Sequence, residues 1–311
     1  MIRGSLVPNI TIFDAEGSID FAKTRWHMAW MFAKGVDGLF LTGSYGAGPL
    51  MTSDERLAVF RLAKEVASGF SGKTLFPHVG CIDTAGAVAL AKGAEAIGVD
   101  AIGAVPPFYY KHTDEAVIAY YKAIIDAVKT PVFAYNNPET SRYTFNLATV
   151  RKLQTLGLAG MKDSPLSLGF ITQVAYGAAQ DKLPFQFIAG TSTGWLPLYH
   201  MGVQAAIAGI NNWAPEIMTE LVRATFAGEW DRARLAYLVM MRLSAKLHFA
   251  DSTIASHMAL YARGFDGGFP RQPMLLPGFS DPKYRELRDV IESGFVELDL
   301  PFEVGDCQLT G

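Results

Sequence analysis

Eight times between Leu6 and Gly209 a short apolar run is followed by a stretch patterned as a helix, and this alternation constrains the 311-residue chain most. The runs lie at residues 6–12, 37–42, 74–79, 100–105, 131–135, 158–162, 185–190 and 205–209. Helical patterns fit between them at 20–34, about 52–68, 84–97, 113–128, 146–156, 166–178 and 192–200. Strands separated by helices pair in parallel, and continuous apolar runs mark strands buried on both faces. Eight such units predict a (β/α)8 TIM barrel; an open doubly wound sheet is the alternative topology. Past Pro215 the pattern is helical through about Arg263, with a last helix near 282–293, more than the eighth unit requires. The expectation is therefore an α/β fold with a barrel over residues 1–228. A C-terminal helical extension over 229–311 packs on it as part of one structural domain.

Composition removes several classes of function. Half the residues are hydrophobic, 18% are charged and the formal net charge is −3, so nothing attracts nucleic acid. No apolar run approaches the roughly 20 residues that a membrane span needs. Met1 to Ser5 lead straight into strand-like sequence without a signal peptide's apolar core, which predicts a cytoplasmic protein. Cys81 and Cys307 are too few for a disulfide framework or a thiolate metal site. The six histidines show no HxH or HExxH spacing, so no metal is expected.

In a barrel of this kind the chemistry lies at the C-terminal ends of the strands. Strand 6 ends in Gly160-Met161-Lys162-Asp163-Ser164, which delivers one amine to the mouth of an apolar barrel. Desolvation penalises the ammonium and makes such a lysine a nucleophile toward carbonyls, although most strand-end lysines simply reach water. Strand 2 runs into Gly43-Ser44-Tyr45-Gly46, strand 5 ends in Tyr135-Asn136-Asn137-Pro138, and Gly190-Thr191-Ser192 and Gly209-Ile210-Asn211-Asn212 follow strands 7 and 8. Taken singly, each has an ordinary reading as a turn or a buried tyrosine. Together they place an amine, a phenol, a hydroxyl and glycine-exposed N–H groups at one rim. No acidic pair and no histidine joins them, which disfavours glycosidase and triad chemistry and leaves amine catalysis.

The order Gly-Ser-x-Gly, Tyr-Asn-x-Pro, Gly-x-Lys-Asp resembles the dihydrodipicolinate synthase and N-acetylneuraminate lyase superfamily. The resemblance runs from about Val7 to Pro277 and includes Lys34 to Leu39 and Pro106 to Tyr110. It implies a class I aldolase-type lyase that forms an imine between Lys162 and pyruvate or another 2-keto acid. That covalent imine would be the reaction's electron sink, with no cofactor. Tyr135 would shuttle the proton and Ser44 relay it. Tyr109 would complete the relay from a neighbouring subunit, which implies a homodimer or homotetramer. The N–H groups around Ser44 and Tyr45 would hold the substrate carboxylate. Gly43, Tyr45, Gly190, Thr191, Ser192, Ile210 and Asn211 are the substrate-binding candidates.

The departures bear on the substrate. The family's glutamate after the strand 2 glycine loop is Ala47 here, and the arginine five residues beyond the tyrosine is Thr140, with Arg142 two places later. Both disfavour lysine biosynthesis. Thr191-Ser192-Thr193 replaces the acidic grip of the neuraminate lyases. Gly46-Ala47-Gly48-Pro49, Tyr135 to Glu139 and Gly264 to Arg271 look more like the 2-keto-3-deoxygluconate aldolases. The expected reaction is retro-aldol cleavage, or dehydration, of a 2-keto-3-deoxy acid giving pyruvate. Condensation of pyruvate with an aldehyde and a non-catalytic 2-keto-acid-binding barrel are the alternatives. Tyr45 and Ile210 predict a greasy, permissive far half of the pocket that disfavours a second charged group.

Overall fold

The structure, a computed structural model, describes residues 1–307. The first half of the sheet comprises β1 (Gly4–Val7), β2 (Gly38–Leu39), β3 (Thr74–Leu75) and β4 (Ile102–Ala104). The second half comprises β5 (Val132–Asn136), β6 (Gly160–Asp163), β7 (Gln186–Ala189) and β8 (Ala205–Ile207). All eight are parallel, in the order β3-β2-β1-β8-β7-β6-β5-β4. The two ends of that order meet through the parallel bridge His78–Gly103, where Val79 N–H donates to the Gly103 carbonyl at 2.7 Å and Gly103 N–H to the Pro77 carbonyl at 2.9 Å. The sheet thus curls round on itself in the barrel arrangement that the alternation predicts, not the open sheet.

Regular ladders are shorter than the apolar runs. The first run was expected to continue to Ile12, but Pro8 has no N–H to donate and the strand ends at Val7. The Ile10 N–H instead reaches Asn212 Oδ1 at 2.9 Å. The chain then leaves the sheet, and Phe13 pairs across to Phe269, with N–H···O distances of 2.9 Å both ways.

Seven helices wrap the sheet between strands: α1 (Phe21–Ala33), α2 (Ser53–Ala67), α3 (Thr84–Ile97), α4 (Asp114–Ala127), the one-turn α5 (Pro138–Ser141), α6 (Leu147–Thr155) and α7 (Leu168–Gln180), with the short α8 (Trp195–Tyr199) after β7. Their starts follow local chemistry. Thr52 and Glu55 form a reciprocal capping box at α2, and Asp20, Asp83, Thr113 and Asn146 cap α1, α3, α4 and α6 by accepting from the first turn. Two apolar layers result. Leu6, Phe40, Phe76, Phe133, Ile188 and Ile207 fill the barrel, whereas Val7, Leu39, Ala134, Met161 and Ala206 point outward into the larger layer beneath the helices. This is the period-two alternation of strands buried on both faces.

The C-terminal helical stretch is broken where the sequence reads as continuous. Gly228, at φ +73°, ends α9 (Pro215–Ala227). α10 (Trp230–Lys246) and α11 (Ser252–Ala262) are separated by a turn over 247–251. α10 packs on α9, and α11 on α12 (Lys283–Glu297) and on the 3-10 turn Gly209–Asn212 that follows β8. The extension therefore reaches the strand C-termini.

Candidate active site

The register of β5 and β6 places Tyr135 opposite Lys162 and Asn136 opposite Asp163. Alternation sends the first pair into the barrel and the second outward. Asp163 is buried, with Oδ1 accepting from Asn136 Nδ2 at 2.6 Å and Oδ2 from the Leu166 N–H at 2.8 Å. These bonds fix the turn after β6. Lys162 is only 3% exposed, although it carries an amine. Its Nζ lies 3.3 Å from the centre of the Tyr135 ring, 5.2 Å from that of Phe40, and 3.5 Å from Ser164 Oγ.

These surroundings shift both groups. Burial holds the Lys162 amine below its ordinary value, against the opposing influence of Tyr135 and Asp163. Burial alone would raise the Tyr135 phenol, but the nearby Lys162 charge and hydrogen bonding from Lys162, Ser164 and Ser44 outweigh it, and the phenol falls below its usual range. Asn137 Nδ2 also donates to the Tyr135 oxygen at 3.1 Å. Beneath Tyr135, the His78 ring stands edge-on at 6.0 Å between centroids. The buried Arg56 guanidinium braces that layer by donating to the carbonyls of His78 and of Gly80, the latter at 3.1 Å.

Above Lys162 opens a cavity of about 670 Å³. Ser44, Tyr45, Tyr135, Lys162, Gly190, Thr191, Ser192 and Ile210 all line it, as the sequence led us to expect. The loop after β2 turns sharply to bring Ser44 there: Thr42 and Ala47 have φ of +48° and +54°. A Cβ on Gly48 would lie 1.9 Å from the Thr42 carbonyl oxygen, so only glycine fits that turn. Among the described residues the Ser44 and Tyr45 N–H groups have no acceptor within the protein.

Three candidates fall elsewhere. Asn211 was expected on the substrate, but its amide is fully buried and donates to Ser5 Oγ at 2.6 Å and the Leu6 carbonyl at 3.2 Å, tying the turn after β8 to β1. Gly43 packs against the Phe40 ring and does not line the cavity. Tyr109 is 69% exposed at φ +79°, with its ring 4.9 Å from that of Tyr110, and is outside the cavity of its own chain.

The far wall holds what sequence reading missed. Ser244, Leu247, His248, Asp251, Ser252, Thr253 and Ser256 line it, all from α10, α11 and the turn between them. Hydroxyls and a carboxylate thus share the lining with the apolar Ile210, Trp213 and Leu247. The polar break Leu247-His248-Phe249-Ala250-Asp251-Ser252 in an otherwise helical run was the available signal. Thr140 lines the cavity where the resemblance would place an arginine, while Arg142, at φ +57°, is exposed and outside it.

The model of the dihydrodipicolinate synthetase family matches residues 1–293. The chain belongs to that family. An uncharacterised DapA-like lyase of Halobacterium salinarum is 30% identical over 96% of this chain and 95% of its own length. A dihydrodipicolinate synthase from Bacillus anthracis superposes with a TM-score of 0.86 at 26% identity, covering 94% of this chain and 98% of its own. The Escherichia coli K12 prophage protein YagE, solved in complex with pyruvate, also reaches 0.86, at 22% identity over 97% of this chain and 100% of its own. The dihydrodipicolinate synthetase family is one of class I aldolase-type lyases, and this chain is a lyase. Among the described residues of this family member, no group of three His, Cys, Asp or Glu could hold a metal ion, and no helix is long and apolar enough to cross a membrane.

Proposed function

We propose that this lyase forms an imine between Lys162 and a 2-keto acid and cleaves a 2-keto-3-deoxy acid to pyruvate and an aldehyde. The observation that carries the reading is the buried Lys162 amine on the face of the Tyr135 ring, at the floor of a cavity large enough for a sugar acid. An amine held below its ordinary value loses its proton more readily than a free lysine, and the unprotonated form attacks the C2 carbonyl. Loss of water gives the protonated imine. The C3–C4 bond then breaks, and its electron pair flows into the iminium to give an enamine. The C4 hydroxyl gives its proton to the Tyr135 oxygen as the aldehyde departs. Protonation at C3 and hydrolysis of the imine release pyruvate and restore the amine. Dehydration of the same substrate would start from the same imine.

Further support comes from the loop after β2. Among the described residues the N–H groups of Ser44 and Tyr45 have no acceptor, and they can donate to a carboxylate, as successive backbone donors do. Ser44 lies beside Tyr135 and can pass its proton onward. The YagE complex makes pyruvate the natural probe. Among the described residues no arginine lines the cavity, which favours the 2-keto-3-deoxygluconate aldolase type over condensation with an acidic semialdehyde. Exposed Tyr109 and Tyr110 suit a homo-oligomer in which Tyr109 meets a partner's site.

Borohydride with pyruvate should leave one stable mass increment on the peptide containing Lys162. No adduct, or an adduct that persists in Lys162→Ala, overturns the reading.

A further inference from the structure

The far wall of the cavity is one connected piece built from two distant stretches of chain. Thr253 Oγ1 donates to the Tyr45 carbonyl at 3.4 Å, and Ser252, next along the chain, lines the same cavity as Tyr45. Asp251 caps α11, its Oδ1 accepting from the Thr253 N–H at 2.8 Å, which fixes where its carboxylate stands. The α10–α11 turn is thereby tied to the loop that faces Lys162.

The lining carries ionisable groups of both kinds. Its ionisable side chains are Lys162, Glu139, His248 and Asp251, together with the phenols of Tyr45 and Tyr135. If Lys162 is engaged as the imine and the loop N–H groups hold the 2-keto acid's own carboxylate, two carboxylates and one imidazole remain for the rest of the substrate. Hydroxyls share the lining with them: Thr191, Ser192, Thr193, Ser244, Ser252 and Ser256. Hydroxyls and carboxylates accept hydrogen bonds from substrate hydroxyls, whereas a second anion there meets like charge.

We infer that Asp251 and Ser252, on the turn between α10 and α11, are specificity-determining residues that admit a neutral hydroxylated aldehyde end and turn away one carrying a second carboxylate. This inference rests on the Lys162 imine reading and adds the chemical class of the leaving aldehyde.

The test measures pyruvate condensation with glyceraldehyde and with succinate semialdehyde on the full chain, alongside borohydride trapping of the pyruvate imine. Wild type should favour glyceraldehyde in kcat/KM by about tenfold or more, a difference of about 1.4 kcal/mol. Asp251→Asn keeps an N-cap that serves nearly as well, so it removes charge without unfastening α11. It should narrow the ratio by about fivefold, mainly by raising kcat/KM for the anionic aldehyde. Raising the ionic strength should narrow the wild-type ratio in the same sense, independently of any variant. An unchanged ratio in Asp251→Asn, a salt-insensitive ratio, a wild-type preference for the semialdehyde, or an imine that reacts with neither aldehyde overturns this inference alone. Failure to trap any pyruvate imine overturns the reading beneath it.

Discussion

Tyr135 and Lys162 stand opposite one another on adjacent parallel strands, with the lysine amine 3.3 Å from the centre of the tyrosine ring. Each changes how the other titrates. Burial drives the amine down while the phenol supports its charge, and the ammonium draws the phenol down against burial. A proton carrier and a nucleophile are thus held by strand register, not by flexible loops.

Tyr135→Phe separates the two roles. It leaves the Lys162 amine in place and removes the phenol oxygen, so turnover should fall by about 10²–10⁴-fold, the usual range for losing a general acid–base. Borohydride should still trap a pyruvate imine on Lys162. Steady-state kinetics and mass spectrometry on the same preparation check this. Turnover within a factor of ten of wild type would remove Tyr135 from the chemistry.

The pH dependence of imine trapping follows from the direction of the Lys162 shift. Trapping needs the unprotonated amine, so its rate should rise with pH to a midpoint below the ordinary lysine value of 10.5. Because Tyr135 raises the lysine's value, Tyr135→Phe should move the midpoint to lower pH. Single-turnover trapping rates across the alkaline range measure both. A midpoint at or above 10.5, or an upward move in the variant, would contradict the geometry.

Much of this site is legible in the sequence because its parts are local. A strand ending in Met161-Lys162-Asp163 must send Met161 and Asp163 one way and Lys162 the other, and the register of one neighbour suffices to bring Tyr135 across from it. What sequence reading misses is tertiary. Nothing local distinguishes Asn211, which ties β8 to β1, from a residue facing the cavity. Nor does periodicity reveal that α11 folds back against the turn after β8 and carries Asp251 and Ser252 to the far wall. The apolar runs outlast the strands for a related reason. Apolar residues continue past Val7 because the segment stays buried, while the ladder stops at Pro8.

Gly209 and Tyr45 give a packing test. A Cβ on Gly209 would stand 2.3 Å from the Tyr45 phenol oxygen and 2.7 Å from its ring carbon Cζ, so Gly209→Ala must displace the ring or the turn after β8. The expected cost is about 1–3 kcal/mol, read as a fall in chemical denaturation midpoint. Combining it with Tyr45→Ala removes the clash, so the double variant should lose less than the sum of the singles. Additive losses would mean that the turn, and not the tyrosine, absorbs the new methyl group.

The Arg271–Glu55 pair fastens the segment after α11 to the start of α2, far from the chemistry, and its pH dependence has a definite sign. Arg271 reaches Glu55 with both terminal nitrogens, at 2.5 and 2.8 Å, and also donates to the Gly17 carbonyl at 2.7 Å. Those hydrogen bonds hold the Glu55 carboxyl down at about 2, against the opposing pull of burial. A carboxyl whose folded value lies below its unfolded one stabilises the fold above the unfolded value, and that contribution is lost as pH falls through the folded value. Arg271→Met should therefore lower stability at pH 6 by about 1 kcal/mol or somewhat more, since the pair is partly solvated. The gap between wild type and variant should shrink as pH drops from 4.5 toward 2, where Glu55 takes up its proton in both states. Denaturant titrations of the two proteins at pH 6, 4 and 3 measure it. A gap that stays constant or widens on acidification would show that Arg271 acts through the Gly17 carbonyl and the Phe13 ring beneath it, not through Glu55.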